Sequence, residues 1–132
     1  MQPEASTKIT LQTPVDRAFH PVVRLVLGGI ADRLNLRFEE LDDLQLAVER
    51  LLAEAGTQES VTISVEVLDR GIRTRVGPLR ERAIAEALQG PESAPGELTL
   101  RRILETVVDA FGVEEASNGN LTVRLEKAVK GA

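Results

Sequence analysis

The chain has 132 residues, 42% of them hydrophobic and 28% charged, which is enough apolar material for one folded domain and excludes a disordered chain. It contains no cysteine, so disulfide frameworks, thiolate zinc sites and cysteine nucleophiles are excluded together. A net charge of −5 and three aromatics (Phe19, Phe38, Phe111), with neither Trp nor Tyr, lack the basic footprint and stacking platforms of a nucleic-acid binder.

Met1 to Lys8 is polar, without the apolar run of a signal peptide, and no apolar stretch reaches the ~18 residues of a membrane span. The expectation is a cytoplasmic single domain over residues 1–132, with no membrane contact. Lys8 to Gln12 alternates as a first strand, and Pro14 to Arg17 reads as a turn or a short helical turn. Pro21 is tolerated only in a first helical turn, so a helix starts near His20 and runs to Leu34. Its apolar residues Val22, Val23, Val26, Leu27, Ile30 and Leu34 follow helical spacing. Gly28-Gly29 inside it costs about 1 kcal/mol per glycine relative to alanine. Close packing of a neighbouring element is therefore expected there.

Phe38 to Ala55 is the clearest helix, with a stripe of Leu41, Leu44, Val48, Leu51, Leu52 and Ala55, an acidic first turn, and Gly56 where a C-terminal cap belongs. Val61 to Val67 and Ile72 to Val76 alternate on either side of Asp69-Arg70-Gly71, as in a hairpin with one wet face, whose turn is expected to use Gly71 for a positive backbone angle. Gly77-Pro78 opens a predicted helix through Leu88, and Gln89 to Gly96 is a loop. Leu100, Ile103, Leu104, Val107, Val108 and Phe111 form a further amphipathic helix. Val113–Ala116 and Leu121–Leu125 flank Ser117-Asn118-Gly119-Asn120, a strong hairpin signal. The order β, α, α, β, β, α, α, β, β, with one polar face per strand, predicts an α/β two-layer sandwich. A mostly antiparallel sheet of about five strands is covered on one face by helices.

Three stretches, in this order, resemble the serine-kinase anti-sigma factors of the GHKL (Bergerat) ATPase superfamily. They are Arg24-Leu25-Val26-Leu27-Gly28-Gly29-Ile30 with Asp32-Arg33, Leu41-Asp42-Asp43-Leu44-Gln45-Leu46-Ala47-Val48, and Ile103 to Phe111. The first resembles the family's first helix, the second the start of its N-box helix, and the third the helix after its second glycine box. The resemblance implies the histidine-kinase-like ATPase fold.

The catalytic motifs depart from the family. Arg50 stands at the position of the general base and Glu54 at that of the magnesium-binding Asn. An arginine stays protonated and cannot accept a proton. Glu49 is one residue away, which rotates it about 100° off the pocket side. Glu54 retains a hard carboxylate for magnesium. Asp69-Arg70-Gly71 has the letters of the adenine motif but falls at a hairpin turn; counted from Ile72, the motif belongs at Pro78-Leu79-Arg80, without an aspartate. Leu98-Thr99-Leu100 stands where the second glycine box should be, with Gly96 as a remnant, and leucines fill space that phosphates need.

Other candidates carry less chemistry. His20 is the only histidine and precedes a helix-starting proline, with no second ligand to support a metal site or a triad. Glu39-Glu40 and Asp42-Asp43 suit the helix dipole better than a metal. Arg101-Arg102 are adjacent on a helix and point apart, and no nucleophile elbow is present.

By resemblance, Arg24 matches the first-helix arginine on the surface that the family shares between sigma factor and anti-anti-sigma factor, with Arg17 as a weaker neighbour. The implied function is an anti-sigma factor in stress-response transcription, forming a homodimer. It would sequester an alternative sigma factor and release it to an anti-anti-sigma (STAS-type) partner, with no cofactor and no catalytic residue. The alternative is an active serine kinase that binds ATP and Mg and phosphorylates its anti-anti-sigma partner.

Overall fold

The computed structural model describes residues 7–91, 99–116 and 118–129. The elements are β1 (Thr7–Pro14), a 3-10 turn (Arg17–Phe19), α1 (His20–Leu34), α2 (Phe38–Glu54), β2 (Ser60–Leu68), β3 (Gly71–Leu79), α3 (Arg82–Gln89), α4 (Leu100–Val107), β4 (Ala110–Glu115) and β5 (Leu121–Ala128). The strands form one antiparallel sheet in the order β1-β2-β3-β5-β4, as the alternation of the sequence anticipates. Val61, Ile63, Val65, Ile72, Val76, Val123 and Leu125 turn one face inward against Val23, Leu27, Val48, Leu51, Ile84 and Leu104 of the helices. The opposite face carries Glu66, Arg73, Arg75, Glu114, Arg124 and Glu126, partly exposed and paired in alternating sign. The fold is a two-layer α/β sandwich. Among the described residues, no helix is long and apolar enough to cross a membrane.

α1 begins at His20, with Pro21 in its first turn, where the missing N–H costs nothing. α2 opens with the Arg37 N–H donating to Glu40 Oε1 at 3.0 Å, and Gly56 at φ 78° turns the chain after its last residues. The second hairpin closes through Asn118 Oδ1, which accepts from Asn120 N at 3.1 Å, and through Gly119 at φ 88°.

Four sequence expectations need correction. Gly77-Pro78 does not open a helix, because β3 runs through to Leu79 and α3 starts only at Arg82. Gly77 pairs with Thr62 on one side, and its missing Cβ admits Thr122 on the other, so cross-strand packing overrides the helix-start signal of proline. Phe111 is not helical either. α4 ends at Val107, and Asp109 N–H to Glu126 O at 2.9 Å starts β4, in which Phe111 lies opposite Leu125.

No element packs against Gly28 or Gly29, where a Cβ would meet nothing within 4 Å. Finally, Gly71 is required by close approach and not by backbone angle. Its φ is not positive, and a Cβ there would stand 2.8 Å from the Lys127 carbonyl oxygen. Of the predicted loop Gln89–Gly96 and the glycine-box position, residues 92–98, including Gly96 and Leu98, lie outside the described residues.

Candidate functional site

α2 carries the positions singled out for catalysis, and α1 lies beside it across the short connection Asn35–Arg37. Arg50 and Glu54 are one helical turn apart, and Arg50 Nη2 donates to Glu54 Oε2 at 3.2 Å. The two residues that the resemblance places at the base and magnesium positions are thus paired with each other. Arg50 Nε is buried without a partner among the described residues, so the guanidinium is turned partly inward.

Glu49 is turned away from these two, toward α1. Arg24 grips it with two parallel bonds, Nε to Oε2 and Nη2 to Oε1, the latter at 3.0 Å. The hydrogen bond to Glu49, then its charge, holds the Arg24 guanidinium above the usual arginine pKa, and Asp42 adds a smaller attraction. Gln45 Nε2 donates to the Arg24 carbonyl at 3.1 Å and ties the two helices at the same point. The Arg24 side chain is 54% exposed and that of Glu49 only 16%, so the arginine faces solvent while its anchor is covered.

Leu25 next to it is 76% exposed, and Phe19, Val22 and Leu46 are exposed large apolar side chains on the same two helices and the turn before them. Arg17 is exposed on that turn. An exposed arginine held by a carboxylate, with Leu25 exposed next to it, suits a protein partner, since arginines beside apolar anchors are frequent sites of high interface energy. Sequence reasoning singled out Arg24 but missed Glu49 as its partner, and Val22, which follows the helical spacing of the apolar residues, is exposed.

The other positions compared with the family's motifs lie outside α2. Asp69 is exposed in the turn between β2 and β3, whose ladder pairs Leu68 with Gly71. At the position counted for the adenine motif, Gln58 is buried and binds the backbone on both sides of Leu79. Its Nε2 donates to Pro78 O at 2.8 Å, and its Oε1 accepts from Arg80 N at 3.0 Å. At the start of α4, Thr99 Oγ1 accepts from Arg102 N at 3.2 Å, so one of the free amides that a helix N-terminus offers a phosphate is capped from within. His20 is partly buried with Nε2 unpartnered, and no group of three or more His, Asp or Glu able to hold a metal occurs among the described residues. Arg101 binds Glu105 at 3.1 Å as an i,i+4 pair and also reaches Gly90 O, a helix-to-loop tie.

No protein-family model matches the sequence, and no curated protein matches it. The chain is similar in fold to the crystal structure of the RsbU and RsbW domains of Rv1364c from Mycobacterium tuberculosis. The TM-score is 0.64, over 93% of this chain and 32% of that one. At 14% identity, the likeness is one of fold. The chain spans about a third of the length of that neighbour.

Proposed function

We propose that the chain is a partner-binding regulator of the anti-sigma type. It sequesters an alternative sigma factor on the α1–α2 surface centred on Arg24 and releases it to an anti-anti-sigma partner of the STAS type. The observation that carries this reading is the Arg24–Glu49 clamp, which holds an exposed guanidinium beside the exposed Leu25. Such a surface matches a helix that bears carboxylates and apolar side chains, and it needs no nucleotide to form. A fold shared with a chain that holds an RsbW domain supports the same class.

The reading includes no phosphoryl transfer, because Arg50 accepts no proton and its pairing with Glu54 competes with magnesium for that carboxylate. ATP and Mg are thus not expected as cofactors. The protein works as a cytoplasmic homodimer in this reading. Affinity capture on the tagged chain from its native host, with the bound proteins identified by mass spectrometry, tests it. A sigma factor should be retained by the wild type and lost by Arg24→Ala.

A further inference from the structure

On the flank of α1 away from α2, a cavity of about 420 Å³ opens between the helix and the edge strand β1. Its walls are mostly apolar, with Ile9 and Val67 from the sheet and Val26, Ile30 and Leu34 from the helix, and Thr7 at the start of β1 adds a polar group. The volume falls within the range of small-molecule sites. Val26, Gly29 and Arg33 recur at three- and four-residue spacing, which puts them on one side of the helix, above the strand. Arg33 is exposed at the rim, and no carboxylate lies within ion-pair distance of it among the described residues.

Gly29 completes the case. A glycine inside a helix is unfavourable, yet no neighbour requires this one, since a Cβ would meet nothing within 4 Å, and its φ is not positive. Gly29 is exposed and lines the cavity, so its missing side chain leaves that stretch of the wall open.

We propose that this cavity binds a single-chain amphiphilic anion, an acyl carboxylate with its tail against Ile9, Val26, Ile30 and Val67 and its head on Arg33. The guanidinium offers a planar fork of donors that matches a carboxylate, and Ile9, Val26, Ile30 and Val67 offer the tail apolar surface. The site is separate from the Arg24 surface, which lies on the opposite flank of the same helix and faces α2.

Titrating the full chain with dodecanoate below its micelle concentration, followed by calorimetry, tests the assignment. Saturable binding near one per chain is expected, and affinity should rise by up to about fourfold per methylene from octanoate to dodecanoate. Gly29→Met should raise the melting temperature, since methionine favours helix, and abolish binding. Arg33→Gln should weaken dodecanoate at least tenfold and leave dodecan-1-ol unchanged, while Arg24→Ala should bind dodecanoate like the wild type. Three results would each overturn the proposal: no saturable binding by the wild type, binding by Gly29→Met as strong as by the wild type, or equal loss of acid and alcohol in Arg33→Gln. Sedimentation completes the test. If the wild type is a dimer that Gly29→Met dissociates, with no dodecanoate bound by either, the groove belongs to a second copy of the chain and the proposal fails.

Discussion

Replacing Gly71 tests whether Asp69-Arg70-Gly71 is a turn or an adenine motif, and the structure gives the size of the effect. A Cβ at Gly71 would lie 2.8 Å from the Lys127 carbonyl oxygen and 3.4 Å from the Ala128 Cα, both backbone atoms of β5. Neither can swing aside as a side-chain tip does, so β5 must move where it pairs Gly71 with Ala128 and Ile72 with Lys127. Forcing atoms into an occupied site costs about 1–3 kcal/mol, and branched Val belongs at the upper end of that range. For a domain of this size, each kcal/mol is about 3–5 °C in Tm. Gly71→Val should therefore lower Tm by about 3–15 °C in a thermal or denaturant melt. Gly71→Ala should lower it less, and Gly71→Asn more than alanine, because steric approach and not positive φ sets the limit here. Asp69→Asn should be silent, within about 0.5 kcal/mol, because the side chain meets water. A Gly71→Val protein as stable as the wild type, or Asn tolerated better than Ala, would refute the close-approach reasoning.

Other outcomes follow from the site and the sheet. Millimolar ATP with Mg should leave Tm unchanged, whereas a ligand at 100 times its Kd would add about 2.7 kcal/mol; a clear rise abolished by Glu54→Ala would restore the kinase alternative. Arg24→Ala should melt like the wild type but bind a captured sigma factor at least tenfold more weakly, as read by biolayer interferometry. On the open face of the sheet, hydrogen bonds from Arg75, then from Arg124, hold the Glu114 carboxyl below its ordinary range. A depressed folded-state pKa contributes stability that is present above the unfolded value and is lost as pH falls through the folded one. Denaturation midpoints should thus fall on acidification below about pH 4.5, and Glu114→Gln should flatten that slope; because the pair is part-exposed, the effect stays within about 1 kcal/mol.

The sequence was most legible where one local signal met no competitor. Pro21 fixed the start of α1, the stripe from Leu44 to Leu52 with Gly56 fixed α2, and alternation around Asp69-Arg70 and Asn118-Gly119 fixed both hairpins. It misled where a distant strand decided the outcome. Pro78 resembles a helix start until Gln58 and β5 are placed beside it, and Phe111 continues a helical stripe until it pairs with Leu125. The glycines of α1 are legible as helix-weakening, but no close neighbour requires them, since a Cβ at either would meet nothing within 4 Å. At the site, the i,i+4 spacing of Arg50 and Glu54 is readable from sequence, whereas the Arg24–Glu49 clamp joins two helices and leaves no local pattern.

The central claim is partner binding through a preformed surface with no nucleotide. A titration of the captured sigma factor against the chain, by calorimetry without nucleotide and again with millimolar ATP and Mg, tests it most directly. The same Kd in both conditions, weakened at least tenfold by Arg24→Ala and by Leu25→Asp in proteins that melt normally, is the predicted result. Binding that appears only with ATP and Mg, or that ignores both substitutions, would contradict the account.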